Sequence, residues 1–199
     1  MKSPDVTLTD FALALVAAGF ALALLGGGGL SGLYALLFAA LAVAALAGGI
    51  WHGWFAGQQT GPGGALWLTV MLSVGLANLA LWRLTGALLQ TPLPGWIGWG
   101  QLVLFAALAL FVSRSFLLTS AFTLPPTLAL LWAFAADLAA PGHMPGAAGL
   151  AVALAGAGLQ AARIGLPALR LSHNGLYHIV QAIAFTLVFL GANANPVSF

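Results

Sequence analysis

Long apolar segments alternate with short groups of glycine, proline and polar residues along the whole chain. An α-helix needs about 20 mostly apolar residues to cross the hydrocarbon core of a bilayer, and the residues between the segments are typical helix breakers. The pattern therefore predicts an all-α, polytopic membrane protein, a seven-transmembrane-helix bundle in a single domain that covers 1–199. On the length rule the predicted spans are roughly 8–25, 31–52, 64–85, 96–113, 116–137, 146–166 and 175–194.

The composition agrees with a location in the membrane. Of 199 residues, 62% are hydrophobic and only 4% are charged, and the mean hydropathy is +1.07, whereas a soluble domain carries about a quarter charged residues. The chain has no cysteine, which excludes disulfides, thiolate metal sites and cysteine nucleophiles. The net charge of +2 leaves no basic patch for nucleic acid.

The few cations predict the orientation. With seven crossings, Lys2, Arg114 and Arg170 lie on the side of the N-terminus, and Arg163 lies just inside it, whereas the opposite side holds only Arg83. The positive-inside rule then places the N-terminus in the cytoplasm. We therefore expect a multi-pass protein of the cell membrane. A lipid or lipid-like substrate and other membrane proteins are the partners that this location offers.

Two further features concern the packing of the spans. Gly149, Ala153 and Ala157 follow one another at four-residue spacing in the sixth span, and such small-residue stripes let helix backbones approach closely in lipid. Pro125 and Pro126 lie inside the fifth span, where they predict a kink.

Polar and ionisable side chains collect at one end of the predicted bundle. The second span ends at His52, and the first span begins near Asp10 on the same side. The seventh span begins there with three further candidates, His173, Asn174 and His178. Because polar groups are costly to bury in hydrocarbon, such a cluster is a candidate functional site.

These residue types suggest a zinc site. A catalytic zinc ion takes three protein ligands and a water molecule, and a set of three is available in His52, His178 and either His173 or Asp10. His173 and His178 would point about 140° apart on a regular helix, so they share a metal only if the start of the helix is irregular. Asn174 lies on the face of His178 and would orient a ligand or water. Asp10 would accept a proton from a zinc-bound water.

Each candidate also has an explanation without a catalytic function. His52 suits the C-terminal end of a helix, and Asp10 suits the first turn, because of the helix dipole. His173 is explained by a position at the membrane interface. His178 lies a full turn inside its span, and there we favour a functional role.

The seven spans and the stretches Gly48–His52 and Ser172–His178 resemble the superfamily of alkaline ceramidases, progestin/adiponectin receptors and related membrane hydrolases. In that group a histidine of the second span and two of the seventh hold zinc near the cytoplasmic face, and an aspartate of the third span and a serine of the second assist. The resemblance implies zinc binding by His52 and His178. This chain has Asn174 four residues before His178, Gly48 at the position of the serine, and no acidic residue in its third span.

The chain is also similar to an uncharacterised bacterial seven-helix membrane family. The residues that carry this second resemblance are Thr9-Asp10 and the H-N-x-x-Y-H motif that ends at His178. It implies a location in the bacterial inner membrane and no particular activity.

Three functions stay open at this point. The first is a zinc-dependent intramembrane hydrolase of a lipid amide or ester. The second is a non-enzymatic membrane protein, either a small transporter or an accessory subunit of a membrane complex, whose polar cluster is structural; the scarcity of acidic residues disfavours coupling to protons or cations. The third is bis-histidine haem ligation by His52 and His178. The sequence determines neither the substrate nor the oligomeric state.

Overall fold

The computed structural model describes residues 1–90 and 93–194, and within these ranges it is helical and without strands. A π-helical turn, Trp51–Phe55, continues the second helix, and a short 3-10 turn, Pro167–Leu169, precedes the last one. The seven α-helices are α1 (Pro4–Leu24), α2 (Leu30–Ile50), α3 (Gly61–Leu88), α4 (Gly95–Phe111), α5 (Phe116–Ala135), α6 (His143–Ala161) and α7 (His173–Ala194). The predicted all-α class and the seven helices are confirmed.

Six helices in the described ranges are long and apolar enough to cross a membrane, and α4 is the shorter seventh. The π-helical turn extends α2 to a single span of 26 residues, Leu30–Phe55. The 17 residues of α4 correspond to about 25 Å at 1.5 Å per residue, somewhat less than the hydrocarbon thickness of about 30 Å. The chain is a multi-pass membrane protein.

Three helices begin earlier than the breaker residues predict. The helices α1, α3 and α6 include Pro4, Pro62 and Pro145 in their first turns, although each of these prolines favours a loop when the sequence alone is considered. The backbone N–H groups in the first turn of a helix have no partner within that helix. Proline, which lacks this N–H group, is therefore tolerated there.

Six of the helices form a closed ring in the order α1, α2, α3, α5, α6, α7, and α7 packs back against α1. The remaining helix, α4, lies outside the ring against α3 and touches α5 only slightly. The close contact between α6 and α7 depends on Gly149, where a Cβ atom would lie 2.7 Å from the side chain of Val188 and 2.8 Å from the carbonyl oxygen of Ala184. The packing role predicted for this glycine is confirmed.

Two consecutive prolines change the hydrogen bonding of α5, which continues as one helix through Pro125 and Pro126. Neither proline can donate to the carbonyl oxygen four residues earlier. One of those acceptors, the carbonyl oxygen of Phe122, accepts a hydrogen bond from Nε2 of Gln101 in α4, and Oε1 of the same glutamine accepts one from Nε1 of Trp82 in α3. Gln101 therefore replaces one lost helix bond and connects α4 to α3 and α5.

The core of the ring is packed by large side chains from three of its helices. Tyr34, Phe38, Leu84, Leu130 and Phe134 are at most 1% exposed. These residues lie on α2, α3 and α5, so side chains of these three helices fill part of the space inside the ring.

Candidate functional site

The end of α2 and the starts of α1 and α7 meet at one end of the ring. The backbone N–H of Lys2 donates to the carbonyl oxygen of Gly53 at 2.9 Å, and its ammonium group donates to that of Ala56 at 3.0 Å. Oδ2 of Asp5 accepts a hydrogen bond from the backbone N–H of Ser172 at 2.8 Å, directly before α7. These contacts bring the three helix ends together, as the threading of the spans predicts.

Asp10 and His178 form the centre of this polar cluster. Nε2 of His178 lies 3.3 Å from Oδ1 of Asp10, and the two residues are only 8% and 4% exposed. Nδ1 of His178 lies 3.1 Å from the hydroxyl oxygen of Thr9. Both ring nitrogens are therefore engaged by α1, which fixes the orientation of the imidazole.

The Thr9 hydroxyl limits where the protons of this cluster can be. Its oxygen also lies 2.8 Å from the carbonyl oxygen of Asp5 and 3.0 Å from that of Val6, and a hydroxyl has one hydrogen to donate. If the hydroxyl donates to a carbonyl oxygen, it accepts a hydrogen bond from Nδ1–H of His178. The hydrogen bond between His178 and Asp10 then uses a proton either on Nε2 or on the carboxyl group. If the hydroxyl donates to Nδ1, Nε2–H donates to Asp10. In each case a hydrogen bond across the 3.3 Å between Nε2 and Oδ1 needs one proton.

Gly48 of α2 leaves room for the carboxyl group of Asp10. A Cβ atom at position 48 would lie 3.4 Å from Oδ2 and 3.5 Å from Oδ1. Oδ2 is buried and has no hydrogen-bond partner. The carboxyl group therefore contacts His178 through one oxygen and faces the backbone of α2 with the other.

The other two histidine candidates lie around this pair. His52 is in the π-helical turn and packs edge-on against Trp51, with ring centroids 5.1 Å apart. His173 is the first residue of α7. Because the helix starts there, the side chains of His173 and His178 point about 140° apart.

Asn174 makes a contact of a different kind. Its Oδ1 accepts a hydrogen bond from Nε2 of Gln160 at 3.1 Å. Since Gln160 lies in the last turn of α6, this bond connects α6 to the start of α7. Asn174 thereby stabilises the loop end of the α6–α7 pair.

A catalytic zinc ion takes three protein ligands. Among the residues that the structure describes, no group of three or more His, Asp or Glu side chains is arranged so as to hold a metal ion. Of the predicted set, the structure brings Asp10 and His178 into contact. Zinc binding stays a prediction.

The sequence did not reveal a cavity of about 450 Å³ beside this cluster, which is lined by residues of α2, α3, α5, α6 and α7. Two residues of the polar stretch in α7, Tyr177 and Gln181, line it. The ring of Tyr177 lies 5.6 Å from that of His178, and Nε2 of Gln181 donates to the carbonyl oxygen of Ala153 at 3.1 Å. The start of α7 thus carries the polar cluster and part of the cavity wall side by side. The signal in the sequence that could have indicated this cavity was the presence of two amide side chains, Asn78 and Gln181, inside apolar spans.

The cavity opens sideways between α5 and α6, two helices that contact each other much less than α6 contacts α7. Residues of both helices line the cavity and are also exposed on the outside of the ring, namely Leu117, Ala121, Leu124 and Ala157. These exposed lining residues indicate that the cavity is open to the outside of the ring between α5 and α6.

The comparisons with known proteins identify a family and no activity. No curated protein and no solved structure matches the chain. The model of a family of unknown function, DUF6962, matches residues 6–196, which include Asp10, His178 and the residues that line the cavity. The chain therefore belongs to the DUF6962 family of unknown function.

Proposed function

We propose that the protein binds a lipid or lipid-like molecule in the cavity within its ring of helices. The observation that carries the proposal is the cavity itself. Its volume of about 450 Å³ falls within the range of small-molecule sites, about 300–1,000 Å³. Its walls are mainly apolar, and its opening faces the lipid, so a molecule dissolved in the bilayer enters without passing through water.

The Asp10–His178 pair has a supporting role in this proposal. It holds α7 against α1 at the level where Tyr177 and Gln181 line the cavity. Because two buried partners fix the imidazole ring, the adjacent side chains of α7 are fixed as well. The polar cluster then keeps the wall of the binding site in shape.

The experiment is to fill the cavity by mutation and count the lipid that the protein retains. Ala157→Phe places a large side chain at the opening between α5 and α6, whereas Ala155→Phe places the same side chain on the other face of α6, outside the cavity. Native mass spectrometry of protein purified in a mild detergent should find a tightly bound amphiphile in the wild type and in Ala155→Phe and much less in Ala157→Phe. Equal lipid in the two variants contradicts the proposal.

Zinc-dependent hydrolysis of a lipid amide or ester, the activity of the resembled superfamily, is the second candidate. It is favoured by the buried Oδ2 of Asp10, which has no hydrogen-bond partner and belongs to a carboxyl group in contact with His178. Elemental analysis of the purified protein should then find about one zinc per chain, and His52→Ala and His178→Ala should each lower it. His143→Ala, at the opposite end of the bundle, is the control. A wild type without zinc excludes this candidate.

The remaining alternative is an accessory role in a membrane complex, with a polar cluster that is purely structural. It predicts that the purified protein retains neither amphiphile nor zinc, and that it is isolated together with other membrane proteins after mild solubilisation. For the location we propose the bacterial inner membrane with the N-terminus in the cytoplasm, on the basis of Lys2, Arg114 and Arg170 at that end of the bundle.

A further inference from the structure

We propose that the cavity selects an amphiphile with an uncharged hydrogen-bonding group, an amide or an alcohol on a long hydrocarbon chain, over one with a carboxylate. This inference rests on the proposed function, since it requires that a lipid-like molecule fills the cavity. It adds the chemical class of that molecule.

The first observation is the absence of charge from the cavity wall. Among the residues that the structure describes, no Asp, Glu, Lys, Arg or His lines the cavity. A carboxylate placed there would have no cation as a partner, and a buried charge without a partner is strongly unfavourable. The wall therefore disfavours ionised headgroups.

The second observation is an unused amide on the wall. Asn78 of α3 lines the cavity and is 3% exposed, and neither its Nδ2 nor its Oδ1 has a hydrogen-bond partner. The amide offers two donors and an acceptor, and no other group in the described part of the protein uses them. Because buried polar groups in proteins are nearly always hydrogen-bonded, these atoms require a partner from the molecule that occupies the cavity.

The third observation comes from α5, on the other side of the cavity. The hydroxyl oxygen of Thr119 is buried without a partner, and Thr119 lines the cavity. Ala121 also lines it, and neither Pro125 nor Pro126 has an N–H group to donate to its carbonyl oxygen. The wall therefore offers both unused donors and unused acceptors. An amide or a hydroxyl group of a ligand can bond to both, whereas a carboxylate can only accept.

The experiment compares three 18-carbon probes, oleamide, sodium oleate and 1-octadecene, on the full chain after its bound lipid has been exchanged for detergent. Ligand binding raises the unfolding temperature according to ligand affinity and concentration, so thermal unfolding at several concentrations of each probe yields relative affinities. At a pH that keeps oleate ionised, oleamide should bind about tenfold or more tightly than both other probes.

Variants of residues in the cavity wall test whether the wall causes the preference for oleamide. Asn78→Leu has a similar volume and no hydrogen-bonding group, so it should lower the affinity for oleamide to that for octadecene and leave octadecene unchanged. Thr119→Val provides a second variant, with a smaller loss in the same direction, if Asn78→Leu does not fold. Thr186→Val is the matched control, because Thr186 is exposed on α7 and bonds only to the carbonyl oxygen of Ala182.

The outcomes separate this inference from the proposed function. If octadecene and oleate bind as tightly as oleamide, or if Asn78→Leu and Thr119→Val both keep the preference, the inference is wrong although the cavity still binds apolar chains. If none of the three probes binds, the proposed function itself is wrong.

Discussion

At the scale of single residues, the contact between Asp10 and His178 is the interaction on which the polar cluster depends. Both side chains are buried among helices that face lipid, where an ionisable group without a partner is costly. The Thr9 hydroxyl occupies the second ring nitrogen of His178, so the histidine cannot turn away from Asp10 without losing two contacts. The pair and Thr9 therefore act as one unit.

The first prediction concerns the coupling within this unit. Asp10→Ala and His178→Ala should each destabilise the protein, and the double variant should be less destabilised than the sum of the two, with a coupling energy of about 1–3 kcal/mol. The reason is that each single change leaves one buried polar group without its partner. Unfolding in mixed micelles with increasing SDS measures the three free energies. Additive losses would contradict the contact.

The second prediction concerns the unpartnered Oδ2 of Asp10. Position 48 has room for a Cβ atom at 3.4 Å from that oxygen, so the hydroxyl of Gly48→Ser can donate a hydrogen bond to it. Gly48→Ser should be more stable than Gly48→Ala by about 1 kcal/mol. The same micelle titration compares the two variants. In an Asp10→Ala background the difference should disappear, and a difference that persists would mean that the hydroxyl bonds elsewhere.

Much of the polar cluster could be predicted from the sequence, but its internal contacts could not. The sequence placed Asp10 and His178 at one end because apolar spans alternate in direction. The involvement of Thr9 could not be foreseen, since a threonine inside a helix usually bonds to its own backbone, as Thr9 also does. The contact with His178 depends on the rotation of α7 about its axis, and span boundaries do not determine that rotation.

At the scale of helices, the pair α6 and α7 depends on glycine for its close approach. Gly149 is in contact with Val188 and the backbone of Ala184, whereas nothing lies within 4 Å of a Cβ atom at Gly158 of the same helix. This difference separates a glycine required by packing from one that merely occupies a helix position. The regular spacing of small residues made the first role predictable, because it is a local property of the chain.

The third prediction follows from this difference. Gly149→Ala should lower the unfolding temperature, because its Cβ atom would meet a backbone oxygen at 2.8 Å. Gly158→Ala should leave it unchanged or raise it slightly, since alanine is favoured over glycine inside a helix by about 0.5–1 kcal/mol. Thermal unfolding in detergent, followed by circular dichroism, distinguishes the two. Equal effects would mean that α6 and α7 are not in close contact at Gly149.

The fourth prediction concerns the attachment of α4. Gln101→Leu should destabilise the protein by about 1–3 kcal/mol, because the carbonyl oxygen of Phe122 loses its donor. In a Pro126→Ala background the cost should be smaller, since the backbone N–H of residue 126 can then bond to Phe122 in the usual helical manner. SDS titration of the two single variants and the double variant tests this. An unchanged cost would show that Gln101 acts through another contact.

The role of Gln101 could not have been predicted from the sequence. Pro125 and Pro126 indicate that α5 has unused carbonyl groups, but the donor belongs to a different helix whose position is a tertiary property. Gln101 itself is an ordinary polar residue in an apolar segment, for which a hydrogen bond between helices is the general expectation. Its partners required the structure.

At the scale of the whole molecule, six helices close a ring and α4 lies outside it. The number of helices was predictable because each is a long apolar segment bounded by breakers. The order of the helices in the ring was not predictable, since α3 packs against α5 and α4 lies outside. The cavity depends on that order. The apolar segments of the sequence therefore predict the helices of a membrane bundle better than they predict the cavities between those helices.

The fifth prediction concerns the topology of the chain. If all seven helices cross, as proposed, the two ends lie on opposite sides, with the N-terminus in the cytoplasm. Alkaline phosphatase fused to the C-terminus in a bacterial host should then be active, and green fluorescent protein fused there should not fluoresce. Fusions to the loop between α2 and α3 provide the control, because that loop should report the cytoplasmic side. The reverse pattern at the C-terminus would show that α4 does not cross or that the orientation is inverted.

The closure of the ring between α1 and α7 has a consequence for how the protein is made. Helix α1, which carries Asp10, leaves the ribosome before the other six helices, whereas its partner His178 lies in α7, which is synthesised after them. At about 5–20 residues per second, that interval lasts on the order of ten seconds or more. During this time α1 is in the membrane with a carboxyl group that has no partner. The nascent protein is therefore vulnerable to quality control until α7 has been made, and a chain truncated before α7 should be degraded.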